Sequence, residues 1–270
     1  MIKPSELQKK AFSEGVRDQQ IEKDYVLSWI LKGVSENHNL KDNLIFKGGT
    51  VLKKFYFQDY RFSEDLDFTI IDSETSNEFI FQCFADVFDY IKEEANIPLE
   101  IIDDNEHEDG GINFYISYTG PLGGLASNKK IKIDISKTEL MVFEPILKSS
   151  FKEYSDLDVY ELNCYTLEEV LVEKLRSVIQ RMQARDYYDI WYLLEVFGLY
   201  ANFYTNEFVA KCKHKDVDPK SLFVKLKQRV PQYKGQWEAT INDQIKDLPE
   251  FEQVDREVQR NLRKLKEQLT

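Results

Sequence analysis

Residues 46–70, FKGGTVLKKFYFQDYRFSEDLDFTI, restrict this chain more than any other stretch. Leu44, Ile45 and Phe46 form a short apolar run that predicts a buried strand, and Gly48-Gly49-Thr50 breaks it before the helical spacing of Val51, Leu52 and Phe55 begins. A strand, a tight turn and a helix start therefore follow in immediate succession. Glycines at such a turn let the backbone approach a ligand, and the unpaired N–H groups of a helix start attract an anion such as a triphosphate. Thr50 adds a hydroxyl. Farther on, Asp65-Leu66-Asp67-Phe68-Thr69-Ile70 alternates polar and apolar, so a strand places Asp65 and Asp67 on one face and Leu66 and Phe68 on the other. Two adjacent carboxylates repel unless a cation is shared, and hard oxygen ligands suit Mg²⁺ or Mn²⁺. A D-x-D standing alone is more often a solvated strand face. The GGT turn ahead of it shifts the reading toward phosphate and metal.

Gly48-Gly49-Thr50 followed by Asp65-x-Asp67 resembles the first motif of the DNA polymerase β-like nucleotidyltransferase superfamily, in which a GG[ST] turn precedes D-x-D on the next strand. Within that superfamily, Lys47 to Leu52 (K-G-G-T-x-L) and Arg61 to Phe68 (R-F-S-E-D-L-D-F) look like the AbiEii/AbiGii branch, the toxins of abortive-infection toxin–antitoxin pairs. Glu22-Lys23-Asp24-Tyr25-Val26-Leu27-Ser28-Trp29 resembles the E-K-D-Y helix near the start of such proteins, and the likeness spans roughly residues 18–195. One departure is the 14-residue gap between Thr50 and Asp65, slightly long for the superfamily, which a longer helix or loop absorbs.

A two-metal phosphoryl-transfer site calls for a third carboxylate. In Lys130-Ile131-Lys132-Ile133-Asp134-Ile135-Ser136, strict alternation sends the three isoleucines to a core and Lys132, Asp134 and Ser136 to the other face. Asp134 is by itself an ordinary strand aspartate; the resemblance makes it the third acid. Thr166 and Glu169 form a capping box, after which Leu167, Val170, Leu171, Leu175, Val178, Ile179 and Met182 recur at helical spacing with Lys174 on the edge of their stripe. Such a lysine either covers apolar surface with its stem and snorkels to water, or aims at phosphates. Glu173-Lys174-Leu175-Arg176, Arg181 and Arg185-Asp186-Tyr187-Tyr188-Asp189 resemble the family's later motifs, which carry a phosphate-binding lysine and a late catalytic aspartate. Asp186 is assigned the latter role with Asp189 as the alternative, since both stand where they can instead pair with Arg181 or Arg185.

The resemblance implies an α+β protein: a polymerase β-like core, a mixed sheet flanked by helices, over residues 1–165, followed by a helical C-terminal half over residues 166–270. It implies a metal-dependent nucleotidyltransferase toxin of phage defence that takes NMP from an NTP to an acceptor, the 3′ end of tRNA being the first choice. A protein hydroxyl, or a nucleotide-binding regulator without catalysis, is the alternative. Asp65, Asp67 and Asp134 are the expected metal ligands for Mg²⁺ or Mn²⁺, and with Lys174 and Asp186 the catalytic set. Gly48, Gly49, Thr50, Ser63, Lys174 and Arg185 are the expected nucleotide contacts, with an RNA acceptor and a cognate antitoxin as partners.

Composition narrows the alternatives. With 42% hydrophobic and 13% aromatic residues, 270 residues bury a sizeable core. No 18-residue apolar run and no signal-peptide pattern occur, so a cytoplasmic protein without a membrane span is expected. Cys83, Cys164 and Cys212 lack C-x-x-C spacing, and His38, His107 and His214 are scattered, which disfavours a zinc site or a histidine-centred hydrolase. The net charge of −12 argues against a broad nucleic-acid-coating surface. It is uneven: residues 204–270 carry 14 Lys and Arg against 11 Asp and Glu. Arg256, Arg260, Arg263, Lys264 and Lys266, and more loosely Lys211, Lys213, Lys215, Lys225, Lys227 and Arg229, are either solvated helix faces or guides for an RNA backbone. The acidic remainder suits a basic protein partner such as an antitoxin.

Periodicity predicts helices over Ser5–Val16 and Asp18–Val34, the second amphipathic, and another through Phe79–Ile91 capped near Ser73. Strands are expected at about 99–103, 112–118, 130–136 and 158–165, with a loop over Thr119–Leu125 and helices from Thr166 on, punctuated by Pro219, Pro231 and Pro249.

Overall fold

The computed structural model describes residues 1–124 and 129–270. Its contacts divide the chain into two compact units, residues 1–139 with 145–164 and residues 140–144 with 165–270.

The first unit is built on a mixed sheet. Its strands are β1 (Leu44–Lys47), β2 (Asp65–Ile70), β3 (Leu99–Glu106), β4 (Ile112–Tyr118), β5 (Lys130–Ser136), β6 (Ile146–Ser149) and β7 (Glu161–Cys164), in the order β3-β4-β5-β2-β1-β7-β6. Register explains the two faces. Phe46 opposes Phe68, Leu66 opposes Ile133 and Phe114 opposes Ile133, so one apolar side chain meets another across four strands. The next residues along, on the opposite face, bring Lys47 beside Asp67, Asp67 beside Asp134 and Asp134 beside Asn113. Helix α5 (Asn77–Ala95) covers the apolar face, where Phe81 and Phe84 meet Phe114 edge-on with centroids 5.4 and 5.1 Å away.

Helices α1 (Pro4–Glu14) and α2 (Asp18–Glu36) precede the sheet, with a short turn of helix α3 (His38–Lys41) after them. Gly33 on α2 allows close approach to α5: a Cβ there would lie 2.7 Å from Val87 Cγ1. Helix α2 departs from the expected amphipathic pattern, because Glu22 and Asp24 are buried with its apolar residues. Both are held by partners. Glu22 accepts the Leu122 N–H at 2.8 Å and pairs with Lys129 at 2.6 Å. Asp24 pairs with Lys54 at 2.6 Å and accepts the Tyr154 hydroxyl at 2.7 Å, while Lys54 reaches Glu153 at 2.5 Å. Burial alone would raise the Asp24 carboxyl, yet the charges of Lys54 and Lys53 and these hydrogen bonds hold it below its ordinary value. The E-K-D-Y segment is thereby an internal brace of this unit.

The second unit is helical: α6 (Leu167–Gln180), α7 (Ala184–Trp191), α8 (Thr205–His214), α9 (Ser221–Ile241), α10 (Phe251–Asn261) and α11 (Arg263–Leu269). Thr166 caps α6 by accepting the Glu169 N–H, as the capping box predicts. Tyr187 on α7 stacks on Tyr233 of α9 with centroids 4.8 Å apart. Residues 140–144 join this unit because Glu169 accepts the backbone N–H groups of Val142 and Phe143, each at 2.8 Å, and Lys211 donates to the Leu140 carbonyl at 2.7 Å.

Several local expectations shift. The α5 cap is Ser76, which accepts the Phe79 N–H, because Asp72 takes the Glu74 N–H in the turn before it and Ser73 stays outside the helix. The last strand runs over Glu161–Cys164 only, and β6 was not expected at all. Pro231 lies inside α9 and does not end it. The 119–125 loop is present through Gly124; Leu125 lies outside the described residues. Lys211 leaves the looser basic group, being fully buried against Glu169 at 2.7 Å and therefore withdrawn from any RNA backbone. Arg229 donates to the Val178 and Arg181 carbonyls and so also serves the interior of its unit. Among the described residues no helix is long and apolar enough to cross a membrane.

Candidate active site

The polar face of the β1-β2-β5 sheet gathers most of the expected site. β2 and β5 are parallel and pair Asp65 with Lys132 and Asp67 with Asp134, so the three aspartates lie on neighbouring strands at two adjoining levels of the pleat. Strand β1 delivers the turn. Gly48 has φ +81°, and a Cβ on it would fall 2.3 Å from Asp67 Oδ2, so only glycine fits between the strand end and that carboxylate. Helix α4 (Gly48–Val51) starts there and runs on into a π-helical turn, Leu52–Tyr56. Thr50 donates its hydroxyl to the Asp65 carbonyl at 2.6 Å, locking the turn to the start of β2. Ser63 is buried in the segment that leads into β2.

Lys132 is the residue that motif reasoning passed over. Its Nζ lies 2.9 Å from Asp134 Oδ2, with about a third of its side chain exposed. Burial alone would lower this ammonium, but the Asp134 hydrogen bond and the charges of Asp134, Asp67 and Asp65 raise it above its ordinary value. The signal was present in the alternation that put Lys132 and Asp134 on one face.

Among the described residues no three Asp, Glu, His or Cys side chains are already drawn together as a metal cage. The donor set nevertheless suits one. Asp65, Asp67 and Asp134 supply hard carboxylate oxygens on one surface, and a lysine ammonium already sits against one of them. These residues fit a divalent Mg²⁺ or Mn²⁺.

In the second unit, Lys174 on α6 is clamped between Asp186 Oδ1 at 2.6 Å and Asp189 Oδ2 at 2.7 Å, both carboxylates being fully buried. The three-residue spacing on α7 presents both acids to the same lysine. Arg181 closes on Asp186 with Nε 2.7 Å from Oδ2 and a second bond at 3.1 Å. Burial pushes the Asp186 carboxyl upward, and the Lys174 and Arg181 charges overcome it, holding Asp186 well below the usual carboxylate range. Arg185 is half-buried on the first turn of α7. Both sequence alternatives for the aspartates therefore meet at one lysine.

The description "Nucleotidyl transferase AbiEii toxin, Type IV TA system" belongs to the family model that matches residues 29–260, a span that starts later and reaches farther than the motif likeness. Two solved structures are similar over nearly the whole chain. MenT4, a nucleotidyltransferase toxin from Mycobacterium tuberculosis H37Rv, is 16% identical with a TM-score of 0.63, covering 98% of this chain and 90% of its own. JHP933 from Helicobacter pylori is 16% identical with a TM-score of 0.53, covering 94% of both chains. No curated protein matches the sequence. At these identities the two structures establish the fold.

Proposed function

The chain belongs to the AbiEii family of nucleotidyl transferase toxins of type IV toxin–antitoxin systems, and from that premise we propose that it moves NMP from an NTP to the 3′ end of a tRNA in the cytoplasm, under the control of a cognate antitoxin. Asp65 and Asp67 would hold Mg²⁺ or Mn²⁺, with Asp134 completing the ligand set. A bound ion of this kind neutralises phosphate charge and makes an attacking hydroxyl more acidic.

The remaining roles belong to the chain itself. Gly48, Gly49 and Thr50 would cradle the triphosphate, Gly48 by lacking a Cβ that would displace Asp67 and Thr50 by keeping the turn fixed to β2 through the Asp65 carbonyl. Lys174 is assigned to triphosphate charge, with Asp186 and Asp189 holding its ammonium in place. Resemblance supports Ser63 and Arg185 as further nucleotide contacts. The observation that carries the reading is the register of β2 on β5, which sets Asp67 beside Asp134 directly against the Gly48 turn.

The test is incubation of the purified protein with Mg²⁺, each α-phosphate-labelled NTP in turn, and total cellular RNA and protein. Label on a tRNA-sized band, absent with Asp65→Asn and Asp67→Asn, is the expected result and names the nucleotide. Label on protein would replace the RNA acceptor with a protein hydroxyl. Nucleotide binding without label under any condition would overturn catalysis.

A further inference from the structure

We infer that Tyr200 and Phe203 of the second unit, flanked by Lys264, form a stacking platform that grips an unpaired stretch of the RNA acceptor by its bases. The inference rests on the reading of RNA as the acceptor. Its first support is exposure. Val196, Phe197, Tyr200 and Phe203 all face solvent, the last two at 60% and 70%, and among the described residues no other stretch of similar length exposes more than two large apolar side chains. Apolar surface gathered in this way marks a place where something binds. The Tyr200 and Phe203 rings lie with centroids 5.4 Å apart and planes tilted by 46°, and at their exposure each keeps ring surface open to a base.

The segment is held at both ends. Before it, Glu195 accepts Arg260 at 2.6 Å and Asn261 at 2.7 Å on α10. After it, the Thr205 hydroxyl bonds the Gln268 side chain on α11. The aromatic pair is thus fixed before any ligand arrives, which lowers the entropy lost on binding. Lys264 follows Asn261 by three residues and precedes Gln268 by four, and Leu262 between the two helices keeps right-handed helical dihedrals, so all three residues share one stripe. That stripe is the one to which the aromatic segment is clipped, and Lys264 on it is exposed. Arg260, one turn earlier, remains 58% exposed while it pairs with Glu195. Around Tyr204, burial and the charges of Glu168 and Glu207 raise the hydroxyl above its ordinary value, so the cationic contacts come from α10 and α11 and not from that end. In a chain of net charge −12, a basic helix beside exposed rings suits a polyanion that carries flat bases.

The experiment measures fluorescence anisotropy of a labelled oligoadenylate decamer, alone or annealed to oligouridylate, with EDTA and no NTP, so that neither metal nor catalysis enters. Wild type, Tyr200→Ala/Phe203→Ala, Tyr200→Ala, Tyr200→Phe and Lys264→Gln are compared after thermal melting confirms that each folds. Wild type should prefer the single strand, and Tyr200→Ala/Phe203→Ala should weaken it by about tenfold or more. Should the double variant fail to fold, Tyr200→Ala carries the same expectation. Tyr200→Phe keeps the ring and should bind as wild type does, while Lys264→Gln should lower the slope of log affinity against log salt by about 0.7. Equal affinity for single strand and duplex, or decamer binding that loss of both rings does not weaken, overturns the platform and leaves the RNA acceptor standing. A wild type that binds no decamer, yet elutes as a dimer that the double variant returns to monomer, would give the patch to a second copy and overturn the inference. Label confined to protein in the transfer assay is a separate failure, which removes the acceptor reading itself.

Discussion

Replacing Gly48 with alanine tests the site more severely than removing a carboxylate, because it changes no charge. The backbone there has φ +81°, and an added Cβ would meet Asp67 Oδ2 at 2.3 Å and Asp67 Cβ and Cγ at 3.1 Å. Holding alanine in the left-handed region costs about 1–2 kcal/mol. Ordinary contact starts at 3.4 Å, so the carboxylate must also retreat by about 1 Å. A misplacement of about 1 Å in a phosphoryl-transfer site lowers the rate by roughly 10²-fold. Gly198→Ala is the control, since Gly198 has φ +91° with nothing within 4 Å of an added Cβ. Melting temperature and initial rate of label transfer at saturating metal are the two measurements. Both variants should lose melting temperature by roughly 2–4 °C per kcal/mol, and only Gly48→Ala should lose transfer. Transfer by Gly48→Ala within about threefold of wild type would refute the argument that Asp67 must stand where it does.

Lys174→Ala should destabilise the second unit by about 3–5 kcal/mol, because it strands two fully buried carboxylates, and urea unfolding measures this; a loss below about 1 kcal/mol would mean the clamp is not formed in solution. Activity loss in that variant is therefore informative only beside its unfolding curve. Asp186 has its folded pKa depressed, so its stabilisation is full above the unfolded value of about 3.9 and fades as pH falls below it toward the lower folded value. The stability gap between wild type and Asp186→Asn should accordingly hold from pH 7 to about 5 and shrink below about 4, and a gap independent of pH would contradict the assignment. Thr50→Val should cost about 0.5–1.5 kcal/mol in unfolding experiments by removing the hydroxyl that bonds the Asp65 carbonyl, whereas Thr50→Ser should restore most of it.

Strands with regular alternation were readable residue by residue: β4 and β5 occupy 112–118 and 130–136 as expected. Alternation works there because one face packs on α5 and the other stays polar. Strand β6 escaped because Ile146-Leu147-Lys148-Ser149 is four residues long and exposes Ile146 and Leu147, on opposite faces, so its sequence carries no period. Pro231 misled as a breaker because a proline within a long helix costs a hydrogen bond that the packing of Tyr233 and Trp237 evidently outweighs. Asp65 and Asp67 in one motif and Asp134 in a second were visible in the sequence, but their pairing across strands was not, since register depends on partners distant in sequence. Charge partners were the least legible. Lys174 stood out only by its place on the edge of an apolar stripe, and nothing local distinguishes Lys54 and Lys211, both buried, from solvated lysines at similar helical positions, because the acids that permit burial come from other elements.

The direct pairing of Asp67 with Asp134 joins residues 67 positions apart, across two intervening strands and a helix. A ribosome adding about 5–20 residues per second would finish the Gly48 turn and β2 several seconds before β5 emerges to accept them. Throughout that interval the nascent polypeptide has two of its acidic groups and strand β1 beside them, but not yet the β5 strand that brings the third. A polypeptide released anywhere before position 134 would thus lack one member of the acidic trio proposed to hold the metal.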